Sequence, residues 1–198
     1  MTYLYILPVI AYLLGSLSSA IIIARLTGIK DPREVGSGNP GATNILRYGG
    51  KKLAAITLLG DVLKGVIPVV LARLITADPL ILSLVAGSAF LGHLFPVFFG
   101  FKGGKGVATA LGVFLGLNPL LAASLMGTWL AMAVVFRYSS LSALVAAVMA
   151  PVYSWWLLPG NAYLAMSAMV AVLLVYRHKG NIQRLLKGEE DRIGSKKK

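Results

Sequence analysis

At 198 residues, with 57% hydrophobic and 13% charged content and a mean hydropathy of +0.78, the chain is too apolar for a water-soluble domain and fits one membrane domain. Cysteine is absent, which excludes disulfides and thiolate metal sites, and two histidines with seven carboxylates leave little material for any metal centre. The net charge of +12 invites a nucleic-acid reading, but the placement of those charges argues against it.

Seven apolar segments follow one another: Tyr3–Ala24, Leu53–Ile75, Pro79–Phe99, Val107–Leu117, Leu120–Phe136, Leu141–Leu158 and Ala162–Tyr176. Several reach the ~20 residues that cross a ~30 Å hydrocarbon layer. Their apolarity is near-uniform rather than alternating, which favours helices over barrel strands. The sequence therefore predicts an all-α integral membrane protein with seven transmembrane helices in a single domain spanning residues 1–198. The first segment is too long for a signal-peptide core and has no basic residue before it; its positive charges come after it.

The loop after the first segment, Arg25–Lys52, contains Gly36-Ser37-Gly38-Asn39-Pro40-Gly41-Ala42-Thr43-Asn44, with Arg47 a turn beyond. Small turn-forming residues with hydroxyl and amide groups suit either a plain turn, capped by Thr43 or Asn44, or an anion site with Arg47 as a bidentate clamp. The second segment carries Asp61 and Lys64, spaced (i, i+3) as an ion pair within the membrane. Asp61 is expected to orient Lys105 or Arg47 rather than act on a substrate. His93, in Gly92-His93-Leu94-Phe95-Pro96, reads as a packing or hydrogen-bonding residue near the interface.

The next loop is the most informative stretch: Gly100-Phe101-Lys102-Gly103-Gly104-Lys105-Gly106-Val107-Ala108-Thr109. Glycines let the backbone turn several N–H groups toward one point, the following helix start adds its open N–H groups, and Lys105 adds a full charge. Together these make a pocket for a phosphate-type anion; the bland alternative is a flexible turn. The stretch is not a nucleotide-binding P-loop: Phe99 stands where the first glycine would fall, and Gly106 replaces the hydroxyl residue that holds Mg²⁺.

Arg137-Tyr138-Ser139-Ser140 links the fifth and sixth segments, and Ser140 either caps the sixth helix or donates to a phosphate oxygen. The tail, from Arg177-His178 through Asn181 and Arg184, puts Ile182, Leu185 and Leu186 on one helical face in the manner of an interfacial anchor. His178 and Asn181, three apart, share a face.

With seven crossings, all but Lys64 and Arg73 of the 19 Lys and Arg residues fall in the loops and tail of one face. The positive-inside rule puts that face in the cytoplasm and Met1 outside, which accounts for the basic charge without nucleic acid. A re-entrant Val107–Leu117 would reverse everything after it. As a short span it leaves its glycine-rich start recessed below the cytoplasmic surface.

No nucleophile elbow, His-x₄-Asp acyltransferase pattern or His-Glu-x-x-His zinc pattern occurs. A donor-rich anion site beside lipid, without a covalent nucleophile, suits an already activated substrate such as an acyl phosphate: the protein orients the attacking alcohol and stabilises developing charge. The three stretches Gly36–Asn44, Gly100–Thr109 and His178…Asn181-Ile182…Arg184-Leu185…Gly188-Glu189 resemble, in order, the three motifs of the bacterial acyl-phosphate-dependent glycerol-3-phosphate acyltransferases. The likeness runs over nearly the whole chain. It implies a seven-helix enzyme of the bacterial inner membrane, working at the cytoplasmic face in phospholipid biosynthesis. The reaction it implies moves an acyl group from acyl phosphate to the 1-hydroxyl of sn-glycerol 3-phosphate, without metal or other cofactor. By the same resemblance Ser37, Arg47, Lys105, His178 and Asn181 are the catalytic set. Gly38, Asn39, Asn44, Gly103, Gly104, Gly106 and Ser140 bind substrate, with Asp61, Lys64 and His93 behind them. The competing readings are a transporter of phosphate-like anions and a non-catalytic membrane scaffold.

Overall fold

The computed structural model describes residues 2–194, so Met1 and the tail lysines Lys196, Lys197 and Lys198 lie outside the described residues. Ten α-helices and two short 3-10 turns make up the regular structure, with no strand among the described residues. The chain divides after Leu117 into two compact units.

The first unit holds α1 (Ile6–Gly15), α2 (Ser19–Thr27), α3 (Ala42–Tyr48), α4 (Gly50–Ile75), α5 (Pro79–Leu94) and α6 (Val107–Leu117). The first apolar segment is not one straight helix. It breaks at Ser16–Ser18 and bends by 41°. The Ser16 hydroxyl turns back to donate to the Tyr12 carbonyl, and Ser18 is extended. Small serines that compete for backbone groups are what end α1 inside an apolar run.

α1 packs on α5 and α4 packs on α6, each at a crossing where glycine lets two backbones meet. A methyl on Gly65 would lie 2.9 Å from the Val113 amide nitrogen, and one on Gly92 would lie 2.8 Å from that of Ser16. Asp78 opens α5 by accepting from the Leu80 and Ile81 N–H groups, with Pro79 at the first helical position. Arg73 closes α6 instead of facing a loop: its guanidinium donates to the Gly116 and Leu117 carbonyls at 2.8 and 3.1 Å, a cation on the negative end of the helix.

The second unit holds α7 (Pro119–Phe136), α8 (Ser139–Leu157), α9 (Asn161–Arg177) and α10 (Lys179–Leu186). α8 packs between α7 and α9, and α10 folds back against both α8 and α9. Asn118 caps α7 and ties it to the Leu157 carbonyl at the far end of α8.

Four helices are long and apolar enough to cross a membrane, Gly50–Ile75, Pro79–Phe99, Pro119–Phe136 and Ser139–Leu157, and the bent α1–α2 pair counts as a fifth if it is one span. Val107–Leu117 and Asn161–Arg177 are shorter apolar helices. Length and composition thus support up to five spans, where the apolar runs suggested seven.

Candidate functional site

In the first unit two loops meet at the cluster expected to hold an anion. The loop before α3 is stiffened from inside. Asn44 is buried; its Oδ1 accepts the Ser37 N–H at 3.0 Å while its Nδ2 donates to the Pro32 and Val35 carbonyls at 2.8 and 3.0 Å. Gly36, in the left-handed region (φ 61°), sits directly on that amide. Asn44, expected among the substrate ligands or as a helix cap, is occupied in shaping the loop. α3 is entered from an extended Gly41 with no side-chain cap.

Arg33 ties this loop to the next. It pairs with Asp31 at 2.8 Å and donates to the Phe99 carbonyl at 3.2 Å. The Arg33 hydrogen bonds outweigh burial and hold the Asp31 carboxyl below its ordinary value. Ser37 and Arg47 are both exposed, Ser37 beside the Asn44 knot and Arg47 in the last turn of α3.

The glycine stretch wraps around His93. Gly104 N–H donates to the His93 carbonyl at 3.3 Å, and a methyl on Gly103 would overlap the same oxygen. A methyl on Gly104 would overlap His93 Nε2 and lie 3.1 Å from the Pro40 carbonyl, so the two glycine-rich loops touch at this point. Gly106 takes φ 88° under the Phe90 ring, and its carbonyl accepts the Ala110 N–H as α6 begins. Lys105 therefore stands at the positive end of α6, between two buried glycines.

The ion pair expected within the second segment is present, with Lys64 Nζ 2.9 Å from Asp61 Oδ1. Asp61, expected to orient Lys105 or Arg47, instead faces His93, whose Nδ1 is 3.7 Å away. An apolar cavity of about 350 Å³ lies on α1, α2 and α4, lined by Leu14, Leu17, Ile22, Ile56 and Leu63 among others, with Lys64 at its wall. Its lining is almost wholly aliphatic and suits hydrocarbon.

In the second unit the expected donors Ser140 and Asn181 converge on one carboxylate. Glu190 Oε1 accepts from the Ser140 hydroxyl at 2.6 Å and from Asn181 Nδ2 at 2.5 Å, and Oε2 accepts from Arg184 Nε at 2.7 Å. The Ser140 hydroxyl is thus given to Glu190, and no side chain caps α8. The sequence reading missed Glu190, because it follows two residues after Gly188 in a run of three acids, Glu189-Glu190-Asp191, that spacing cannot tell apart. His178 is buried at the junction of α9 and α10 and hydrogen-bonds the Leu174 carbonyl through Nδ1 at 2.8 Å. As the donor to a carbonyl, Nδ1 carries the proton.

Burial raises the Glu190 carboxyl, but the hydrogen bonds from Ser140, Asn181 and Arg184, with the charge of Arg184, leave it below its ordinary value of 4.5. A folded value below the unfolded one means that the docked tail contributes its full stability above the ordinary range and loses it as pH falls through the depressed value. Limited proteolysis of the tail should be slow at neutral pH and accelerate as pH falls below the ordinary carboxylate range. Equal cleavage rates at neutral and acid pH would show that the carboxylate does not hold the tail.

Residues 5–188 match the family described as Glycerol-3-phosphate acyltransferase. The chain is 57% identical over 189 residues to a glycerol-3-phosphate acyltransferase of Methylococcus capsulatus, covering 94% of each chain. It is 58% identical over 184 residues to one from Hydrogenovibrio crunogenus, covering 92% of this chain and 88% of that one. Its fold is similar to the crystal structure of PlsY (YgiH), an integral membrane glycerol 3-phosphate acyltransferase, in the glycerol 3-phosphate form. The TM-score is 0.92 at 42% identity, over 97% of this chain and 96% of that one. The lysophosphatidic acid form of PlsY gives a TM-score of 0.90 at 40% identity, with the same coverage.

Proposed function

The chain belongs to the glycerol-3-phosphate acyltransferase family, and from that premise we propose that it acylates the 1-hydroxyl of sn-glycerol 3-phosphate from acyl phosphate. The products are lysophosphatidic acid and inorganic phosphate, and the step opens phospholipid synthesis. The observation that carries this reading is the pinned Gly103–Gly104 main chain with Lys105 at the start of α6, touching the first glycine-rich loop at Pro40. Such a loop gathers N–H groups and a cation on one phosphate without a nucleophile of its own. The form in which PlsY was crystallised with glycerol 3-phosphate, and that with lysophosphatidic acid, correspond to one substrate and one product of this reaction.

The glycerol oxygen forms a bond to the acyl carbonyl carbon as the mixed-anhydride C–O bond breaks, and the leaving phosphate keeps the electron pair. By the family resemblance the proposed substrate ligands are Ser37, Arg47, Lys105, Ser140, His178 and Asn181, joined by Gly38, Asn39 and the Gly103, Gly104 and Gly106 main chain. Their task is to offset repulsion between two phosphorylated reactants and to stabilise charge on the carbonyl oxygen. The phosphate, with a second pKa near ~6, takes the hydroxyl proton. The aliphatic cavity beside α1 and α2 is a fitting home for the acyl chain. In this reading seven segments cross the bacterial inner membrane with the N-terminus outside. The loops carrying nearly all the Lys and Arg face the cytoplasm, in keeping with their one-sided distribution. No metal or other cofactor enters the chemistry.

The test is to give purified protein glycerol 3-phosphate with acyl phosphate, acyl-CoA or acyl carrier protein in parallel. Product with acyl phosphate only is expected; product with a thioester donor overturns the donor assignment. His178→Gln should raise KM yet keep measurable kcat at saturation. Complete loss of kcat at unchanged affinity would make the His178 ring the proton acceptor instead of the phosphate.

A further inference from the structure

A line of buried polar groups runs through the first unit and ends on the glycine loop. At one end Lys64 Nζ donates to the Leu17 carbonyl at 2.9 Å, inside the break between α1 and α2. The same ammonium is 2.9 Å from Asp61 Oδ1, and that oxygen is 3.7 Å from His93 Nδ1. Thr109, in the first turn of α6, hydrogen-bonds Nδ1 at 3.1 Å. The opposite ring nitrogen, Nε2, lies against Gly104, where even a methyl group would collide with it. Asp61, Lys64, His93 and Thr109 are all buried.

Burying an ion pair costs several kcal/mol per ion before the attraction is counted, and an apolar replacement of equal volume commonly serves stability as well or better. Charges within membrane helices are accordingly retained mostly for function. Here the pair leads to an imidazole, and both the ring edge and the carbonyl of that residue bear on the Gly103–Gly104 main chain.

We propose that His93 is a positioning residue for the phosphate-binding loop. Thr109, hydrogen-bonded to Nδ1, fixes the plane of the ring, with the Asp61–Lys64 pair 3.7 Å behind that nitrogen. The Nε2 edge and the His93 carbonyl, which takes the Gly104 N–H, then hold Gly103 and Gly104 in the shape that turns the loop's other N–H groups and Lys105 toward a phosphate. The inference rests on reading that loop as the glycerol 3-phosphate site, and it assigns a task to a buried cluster that the transfer reaction itself does not use.

The experiment uses full-length protein in detergent and compares wild type with His93→Ala, His93→Asn and His93→Gln. Equilibrium Kd for glycerol 3-phosphate and for inorganic phosphate is read by calorimetry, beside KM, kcat and the thermal midpoint. Asparagine puts an amide near the place of Nδ1, whereas glutamine reaches the place of Nε2. His93→Ala is expected to raise Kd for both anions about tenfold, the size of one lost hydrogen bond at a charged ligand. KM for glycerol 3-phosphate should rise in parallel, and KM for acyl phosphate should stay within twofold. Glutamine should recover most of the affinity and asparagine little.

A lowered thermal midpoint with Kd within twofold of wild type would reduce His93 to a packing residue, and equal recovery by asparagine and glutamine would remove the loop from its role. Should His93→Ala fail to fold, the asparagine and glutamine pair decides. Wild-type binding without turnover would overturn the acyl-transfer reading while the Kd comparison still decides the positioning role. Absence of wild-type binding to either anion would overturn both.

Discussion

Lys105→Ala is expected to lower kcat/KM for glycerol 3-phosphate by about two to three orders of magnitude, the range seen when one preorganised electrostatic donor is removed from a transition state. The side chain leaves the backbone between buried Gly104 and Gly106, immediately before α6. Its charge and the positive end of that helix therefore add at one point. An ammonium about 4 Å from a phosphate is worth about 4 kcal/mol at an effective dielectric near 20, which is the same range. Lys105→Arg should recover only part of the loss, because a longer planar fork cannot take the place of a compact ammonium in a loop this tightly packed. The thermal midpoint should hardly move, since the lysine is only partly buried and the loop is held by Gly103, Gly104 and His93. Steady-state kinetics with acyl phosphate checks this. A loss under fivefold, with the protein folded, would return the glycine stretch to a helix-packing or turn function.

What the sequence displayed, and what it hid, follows from the range of the forces involved. Apolar runs show the long helices because burial and lipid contact act on every residue of a segment, and α4, α5, α7 and α8 begin and end within a few residues of the runs that announced them. The Asp61–Lys64 pair was legible because (i, i+3) spacing fixes it within one helix. The bend at Ser16–Ser18 was not, since two serines flanking a leucine barely interrupt an apolar average although they redirect backbone hydrogen bonds. Composition marked the first loop as donor-rich, yet donors are spent by their neighbours: the Asn44 amide serves Ser37, Pro32 and Val35, partners as far as twelve residues away in sequence. His93 shows the same limit. Its ring joins α4, α5 and α6, and only the fold brings Asp61, Thr109 and Gly104 to one imidazole.

Glu190→Gln is expected to lower activity about a hundredfold and to loosen the tail, although the substitution is isosteric. The carboxylate receives three donors, with Ser140 and Asn181 on one oxygen and Arg184 on the other. An amide has one oxygen and one NH₂, so in either orientation it turns hydrogens toward hydrogens and loses the charge that Arg184 faces. Asn181 and Ser140 are buried, and a buried donor left without its acceptor costs about 1–3 kcal/mol. The consequence reaches past stability, because the contact to Glu190 orients the Asn181 amide, whose NH₂ carries a second N–H to offer a substrate. The tail is held at a second place: Arg137, itself at φ 60°, accepts the Ile193 N–H at 2.6 Å and donates to the Ile193 carbonyl at 3.0 Å. With that clamp intact, Glu190→Gln should fold, and its defect should fall on KM and kcat together as misdirected donors rather than as lost protein. Glu190→Asp retains the charge one methylene short, so it should recover the Arg184 pair while leaving Ser140 out of reach, with an activity between the two. Normal kinetics in Glu190→Gln at an unchanged thermal midpoint would show that the carboxylate neither directs those donors nor secures the tail.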